Sequence, residues 1–270
     1  MPEIKIITVI QARTGSTRLP NKVLMPILDK SLLLRMLERV SLAKLAGQIV
    51  VATSNQPEDD AITELCNKEK IDCYRGSLND LLDRHYKVAK KYNADAIAKI
   101  PSDCPLIEPR IIDKVYNYYL ENYTKYDFVS NLHPATYPDG NDVEIMSFKT
   151  IEKTWIEAKR KLEREHTTPY IWENPDKFRI GNVKWETGLD YSSTHRWTID
   201  YEEDYIFIKT VYEELYNNNP CFSLNDILNL LIEKPHLYKL NSKFAGKYWY
   251  DNHLNELNQI DDYKNKLLKN

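Results

Sequence analysis

Three cations, Arg13, Arg18 and Lys22, crowd the stretch IQARTGSTRLPNK (Ile10–Lys22) together with Gly15 and Ser16. Two arginines can grip anionic oxygens in bidentate fashion, and a lysine adds a compact point charge. Backbone N–H groups around Gly15 and Ser16 can cradle phosphate oxygens where the loop leads toward a helix. The chemistry suggested is phosphate binding, and the competing reading is a solvated basic loop. The stretch has neither GxxxxGK[ST] nor GxGxxG, so it is not a Walker loop and a dinucleotide fold is disfavoured.

Four further motifs offer complementary groups. In PSDCPLI (Pro101–Ile107), Asp103 presents a carboxylate. Set against phosphates it points to Mg2+, which takes one or two carboxylates plus phosphate and water; a turn aspartate before Pro105 is the alternative. Cys104 has no visible histidine partner and reads as structural. RWTIDYEED (Arg196–Asp204) places Asp200 at the end of an expected short strand, Trp197–Ile199, as a second metal carboxylate. Glu203 and Asp204 read as acidic caps of the next helix. In YPDGNDVEI (Tyr137–Ile145), Asp139-Gly140 signals a turn, while Asp142 and Glu144 alternate on a strand face that would line a polar pocket. EREHTTPYI sets Arg164 near His166, a donor set for an acidic substrate or else a satisfied structural histidine.

These groups need a scaffold, and short apolar runs alternating with amphipathic ones supply it. Ile4–Ile10, Gln48–Ala52 and Ala94–Ile100 read as strands, with others near Phe128–Asn131 and Asp142–Met146. Helices are expected over Leu32–Leu45, Asp59–Lys68, Leu78–Tyr92, Glu108–Asn122, Lys149–Glu173 and Glu202–Tyr216. Pro109 opens the fourth of these. After Asn217-Asn218-Asn219-Pro220, Ser223 reads as the N-cap of Leu224–Glu233, and Leu254–Leu268 as a charged terminal helix. The alternation predicts a three-layer α/β fold with a mainly parallel sheet. Ligands of such sheets bind beyond the carboxyl ends of the strands. The basic loop and Asp103 therefore belong to one edge.

The bulk numbers exclude some functions. Hydrophobic residues make up 42% of the 270, enough for a core, and the formal net charge is -3. That charge argues against a nucleic-acid binder that works by neutralising phosphates in bulk. Cys66, Cys73, Cys104 and Cys221 show no CxxC spacing and read as reduced thiols of a cytoplasmic protein, without zinc or disulfides. No signal-peptide pattern is visible, and no apolar run approaches the roughly 20 residues of a membrane span.

Taken together, IQARTGSTRLPNKVL, VVATSNQPEDDAI, YRGSLNDLLDRH, PSDCPLIEP, YPDGNDVEI, EREHTTPYI and HRWTIDYEED resemble, in order, the cytidylyltransferases of the spore-coat-polysaccharide F type. These are relatives of the synthetases of CMP-activated 3-deoxy-manno-octulosonate and acylneuraminate. The resemblance runs from residue 1 to about 240. It implies the nucleotide-diphospho-sugar transferase fold (GT-A-like, a mixed, mainly parallel sheet in a three-layer sandwich), Mg2+, CTP and a homodimer. It divides the chain into a cytidylyltransferase domain, 1–216, and a helical extension, 217–270. By position, Arg13, Gly15, Ser16 and Lys22 would bind the triphosphate with Arg18 nearby, and Gln11, Ala12 and Thr53 would lie near the cytosine, with Arg75 close to the base. Asp103 and Asp200 would hold Mg2+. Arg13, Lys22, Asp103 and Asp200 form the expected catalytic set, and Tyr137, Asp139, Glu144, Arg164, His166 and Arg196 the acceptor pocket. The acceptor would be an anionic sugar acid or a related compound in surface-polysaccharide biosynthesis.

The family usually has Gly where this chain has Asn21. Asn is the residue that best replaces Gly at positive φ, so the loop should keep its shape. The nearest rival reading is a glycosyltransferase on the same architecture. That fold usually carries Asp-x-Asp, whereas Asp103 stands alone in Ser-Asp-Cys. A non-catalytic scaffold is a second rival, and the intact Arg13, Lys22, Asp103 and Asp200 set argues against it.

Overall fold

The computed structural model describes residues 4–246 and Glu256–Leu257. The expected terminal helix Leu254–Leu268 lies outside the described residues, apart from Glu256 and Leu257. The first strand, β1 (Ile6–Gln11), leads into the basic loop. A small hairpin, β2 (Pro26–Ile27) and β3 (Lys30–Ser31), follows and runs into α1 (Leu32–Ser41). Next come β4 (Gln48–Ser54), α2 (Asp60–Glu69), β5 (Asp72–Gly76), α3 (Leu81–Lys91), β6 (Ala96–Pro101) and α4 (Pro109–Glu121). The remainder is β7 (Phe128–Ser130), β8 (Glu144–Ser147), α5 (Phe148–Glu157), α6 (Lys161–His166), α7 (Pro169–Trp172), β9 (Ile180–Asn182), α8 (Glu202–Leu215), α9 (Leu224–Glu233) and α10 (Pro235–Tyr238).

Seven strands form one sheet in the order β5-β4-β1-β6-β8-β7-β9, with β8 antiparallel to both its neighbours and the rest parallel. The sheet is thus mixed and mainly parallel, as expected. β1 shows why both faces are covered. Ile6 and Ile10 pack into one hydrophobic cluster, with α1, α4, α8 and α9. Ile7 and Val9 pack into the other, with α3 and α5. This is the period-two alternation of a strand between two helical layers. Thr8, the one polar residue within this stretch, donates its hydroxyl to the Ala46 carbonyl at 2.6 Å and lies 2.9 Å from the Tyr116 hydroxyl.

Several elements depart from the sequence reading. The single helix expected over Lys149–Glu173 is three. It breaks at Ala158, which is extended, and at Thr167, whose φ is 75°. Trp197–Ile199 is not a strand: apart from a lone bridge between Arg196 and Asp139, this segment lies outside the sheet. Asp142 lies outside the ladder, because β8 begins at Glu144. β5, β9 and the β2–β3 hairpin were not anticipated. Beyond Asn217, Phe222, Leu224, Ile227, Leu230 and Leu237 join the larger cluster. Glu108 accepts from the Leu224 amide at 2.6 Å, and Arg39 donates to the Phe222 carbonyl. Ser223 caps α9 as expected, in a reciprocal box with Asp226.

Candidate active site

The carboxyl ends of β1, β4 and β6 meet at one edge, and the basic loop folds over it. Asp59 shapes that loop. Its buried carboxylate accepts from the Thr14 amide at 2.7 Å and the Thr14 hydroxyl at 2.8 Å, and also from Ser54 at the end of β4. Asn21 closes the loop with φ 59°, and its amide donates to the Thr14 carbonyl at 2.9 Å. The left-handed conformation expected where the family has Gly is present. The Ser16 amide turns inward onto the Thr14 carbonyl at 2.8 Å, so it belongs to the loop's own bonding. Gly15 has nothing within 4 Å of where a Cβ would sit, which leaves its backbone open to an approaching group.

One group of charges centres on Lys22. Its buried ammonium donates to the Ile199 carbonyl at 2.6 Å, Asp200 at 3.1 Å and Asp103 at 3.2 Å. Burial works against that charge, but the two aspartates outweigh it and hold the ammonium above the usual lysine range. Arg18 binds Asp200 at 2.8 Å. Arg196, buried, donates to Asp204 at 3.0 and 3.1 Å, to Asp200 at 3.1 Å and to Asp139 at 3.4 Å. Asp200 is desolvated, yet Lys22 and Arg18 pull its carboxyl below the usual range. Asp142 moves the other way, up to about 6, through desolvation and then the charge of Asp103. Asp139 rises well above its usual range, by desolvation and by repulsion from Asp142 that Arg196 only partly offsets. Glu144 joins this region through Lys99, at 2.5 Å. Cys104 is buried there and its thiol is pushed up, which leaves it protonated and inert, as the structural reading held.

A second group lies over β1 and β4. Gln11 is in register with Ala52, next to Thr53. Across them lies Arg84 of α3, 3% exposed, which donates to the Ala52 carbonyl at 3.2 Å and packs against Gly76. Arg84 forms no salt bridge with a described carboxylate, and desolvation followed by repulsion from Arg13 lowers its pKa to about 10. Arg13 is exposed and likewise forms no such salt bridge. Gln11 Oε1 and Arg84 Nε, on the α3 face of the sheet, are buried without a partner, and so is Thr53 Oγ1, which alternates with Ala52 onto the opposite face. Buried polar groups are mostly satisfied by protein or by ordered water, and at a sheet edge a ligand can take that place.

The structure therefore gathers Lys22, Arg18, Asp103, Asp139, Asp200 and Arg196 at one point, and Gln11 and Arg13 on the side of Arg84 at another, with Ala12 in the larger cluster and Thr53 on the opposite sheet face. Arg75 lies on the rim of the second group. It holds the Ser54 and Gln56 carbonyls and pairs with Asp60 at 2.6 Å, so it builds the loop after β4. The expected acceptor set does not form one cluster. Tyr137 stacks on Trp185 with ring centroids 5.6 Å apart and donates to Glu186. Arg164 pairs with Asp80 at 2.5 Å, and His166 ends α6, half-buried. Arg164 and Arg196, the two arginines expected to meet an anionic acceptor, are already neutralised by the protein's own carboxylates. Arg84 and Asp59 were not singled out. Both stand inside motifs quoted above, but only burial reveals their place.

The whole arrangement has known counterparts. The family model described as Cytidylyltransferase matches residues 7–235. An uncharacterised protein of Methanocaldococcus jannaschii is 38% identical over 90% of this chain and 97% of its own. The spore coat polysaccharide biosynthesis protein SpsF of Bacillus subtilis is 30% identical over 85% of this chain and 95% of its own. A 3-deoxy-manno-octulosonate cytidylyltransferase of Geobacter metallireducens is 32% identical over 41% of this chain and 43% of its own. The solved cytidylyltransferase of Leptospira borgpetersenii superimposes with a TM-score of 0.82 at 35% identity, covering 87% of this chain and 97% of that one. A CMP:2-keto-3-deoxy-manno-octonic acid synthetase solved with CTP, 15% identical, shares the fold with a TM-score of 0.58, covering 78% of this chain and 99% of that one. Matched from β1 through α9, with the basic loop and the aspartate edge inside the match, the chain belongs to the cytidylyltransferase family.

Proposed function

We propose that this protein transfers CMP from CTP to an anionic sugar acid and releases pyrophosphate, as an activation step in surface-polysaccharide biosynthesis. The observation that carries this reading is the convergence of Lys22, Arg18, Asp103 and Asp200 at the sheet edge beside Arg13 and Arg84. The acceptor class follows the names of the relatives: one acts on a sugar acid and another serves polysaccharide synthesis.

The reaction needs positioning and charge neutralisation more than covalent help. An acceptor hydroxyl oxygen attacks the α-phosphorus of CTP in line. The new O–P bond forms as the bond from the α-phosphorus to its bridging oxygen breaks. The electron pair leaves with pyrophosphate, and the hydroxyl proton is lost to water. Lys22, kept charged by its two aspartates, offsets charge growing on the leaving group, with Arg18 beside it. Arg13 and Arg84, neither in a salt bridge with a described carboxylate, would face the nucleotide. Gln11 and Arg84 supply an unpaired acceptor and an unpaired donor that a base edge would complete.

The donor set fits Mg2+: Asp103 and Asp200 both reach the Lys22 ammonium, and the excess of carboxylates around Asp139 and Asp142 is one a divalent cation would relieve. Asp103 and Asp200 would hold the ion, which when bound neutralises phosphate charge and lowers the acceptor's pKa. Among the described residues no three His, Cys, Asp or Glu side chains form a metal site by themselves, so phosphate oxygens would complete the shell.

Thermal unfolding with CTP, UTP, GTP and ATP, each with and without Mg2+, tests this. A ligand at a hundred times its Kd adds about 2.7 kcal/mol. The expected result is a Mg2+-dependent rise in Tm for CTP alone. A rise with a nucleotide sugar or nucleoside diphosphate, and with no triphosphate, would transfer the assignment to a glycosyltransferase.

A further inference from the structure

The segment after α10 belongs to neither charge group, yet it touches the stretch that carries Asp200 at successive points. Tyr238 donates to the Thr194 carbonyl at 3.0 Å. Buried Asn241 donates from one amide nitrogen to the Arg196 carbonyl at 2.8 Å and to Asp204 Oδ1 at 3.0 Å. Lys243 binds Glu203 at 2.5 Å, and Phe244 stacks on Tyr201 at 4.0 Å between centroids with 9° between planes. The stretch it grips has little sheet to hold it. Its other ties are backbone bonds to Asp139 and Asp103, the contacts of Lys22 and Arg18, and the burial of Trp197 and Ile199 in the larger cluster.

Asp204 is the centre of this grip. It is fully buried and accepts from Arg196 Nε and Nη2, the Asp200 amide at 2.9 Å, the Tyr201 amide at 3.0 Å and Asn241. It thereby fixes both the backbone of Asp200 and the guanidinium that holds the Asp200 carboxylate. A helix cap needs only its own amides, whereas this carboxylate also takes a donor from a segment some forty residues away.

We infer that Asn241 is a positioning residue for Asp200, and that the segment 238–246 is a clamp that sets the geometry of the carboxylate centre. The inference rests on the assignment of Asp200 as a metal carboxylate. Asn241 touches no substrate. It acts through Asp204 and Arg196, and a buried network missing one donor loses geometry as well as energy.

The test compares the wild type with Asn241→Ala, Asn241→Asp and Leu230→Ala, the last removing core packing from α9 without deleting any hydrogen bond of the network. Mn2+ binding is read by electron paramagnetic resonance in the presence of CTP, with CTP affinity measured without metal. Amide hydrogen exchange is followed over residues 196–204. Asn241→Ala should weaken Mn2+ binding about tenfold, leave metal-free CTP affinity within about threefold, and speed exchange at Asp200 and Tyr201. Asn241→Asp, which sets a carboxylate against Asp204 and removes the donor, should do more. Leu230→Ala should lower Tm comparably or further without moving either readout. Unchanged Mn2+ binding and exchange in Asn241→Ala would overturn the inference alone. Absence of Mn2+ binding in the wild type with CTP would overturn the metal assignment and the inference with it.

Discussion

The two charge groups at the sheet edge are built on opposite principles. Around Lys22, cations and carboxylates alternate so closely that Lys22, Arg18 and Arg196 each hold an aspartate within 3.2 Å. Around Arg84, two cations repel each other, no described carboxylate forms a salt bridge with either, and buried Gln11 Oε1 and Arg84 Nε lack partners. The first group is internally paired, with carboxylates to spare around Asp139 and Asp142. The second leaves polar atoms without a partner in the protein. In a buried site the first arrangement contributes to stability through its pairs, and the second holds stability back in return for binding.

Substituting the two buried arginines would break that contrast most sharply. Arg196→Leu leaves Asp204, Asp200 and Asp139 without their common cation, and breaking a buried pair costs about 3–5 kcal/mol. Arg84→Met removes a desolvated charge that has no ion-pair partner, so it should cost less than about 1 kcal/mol. It should nevertheless weaken nucleotide binding at least tenfold. Urea unfolding and calorimetric titration with CTP check both. Equal losses of stability would mean the two groups do not differ as described.

The same flank holds a titratable group that should register in stability. His85 follows Arg84 on α3, and its Nδ1–H donates to the Leu81 carbonyl at 2.9 Å. Burial lowers its pKa to about 3. A folded-state pKa below the unfolded value means the unfolded chain binds the extra proton. The stability is therefore fully present above about pH 6.5 and lost as pH falls toward 3, by roughly 1.4 kcal/mol per pH unit. The difference in unfolding free energy between wild type and His85→Leu, followed from pH 7 to pH 4.5, should shrink with that slope. A constant difference would show that His85 is protonated in the folded protein.

On the paired side, Lys22→Ala should lose at least tenfold in kcat/KM once an acceptor is in hand, and at least as much in CTP affinity. Wild-type values would remove Lys22 from the triphosphate site.

The sequence disclosed the two groups unequally, for a physical reason. Lys22, Asp103 and Asp200 sit in short motifs of charged and turn-forming residues, where identity and position at a strand end announce chemistry. Arg84 lies in an amphipathic helix, where an arginine ordinarily faces water. Only the fold turns it inward over Ala52. Asp204 looked like a helix cap, which it partly is, and Asp59 only like the start of a helix, but both take partners from elements distant in sequence. Arg196 and Arg164 looked free to meet a substrate because sequence does not show which carboxylates fold against them. The strands β1, β4 and β6 of the parallel half were legible, being apolar, whereas their order in the sheet was not. β5 and β9 were not, since they are partly exposed edge strands of five and three residues.

The smallest expected effect tests how the loop joins the two sides. Asn21 sits at φ 59°, between Thr14, which Asp59 anchors, and Lys22, which enters the carboxylate centre. An L residue there costs about 1–2 kcal/mol, which Asn offsets best and Gly avoids altogether. Asn21→Gly loses the side chain's restriction on the unfolded chain but gains a relaxed φ, so stability should stay within about 0.5 kcal/mol and CTP affinity within twofold. Asn21→Ala puts a residue less tolerant of the left-handed region at this φ, and should cost about 1 kcal/mol and weaken CTP binding by displacing Lys22. If Asn21→Gly weakened binding as much as Asn21→Ala, the Asn21 side chain itself would be a ligand contact, and the turn would no longer account for its presence.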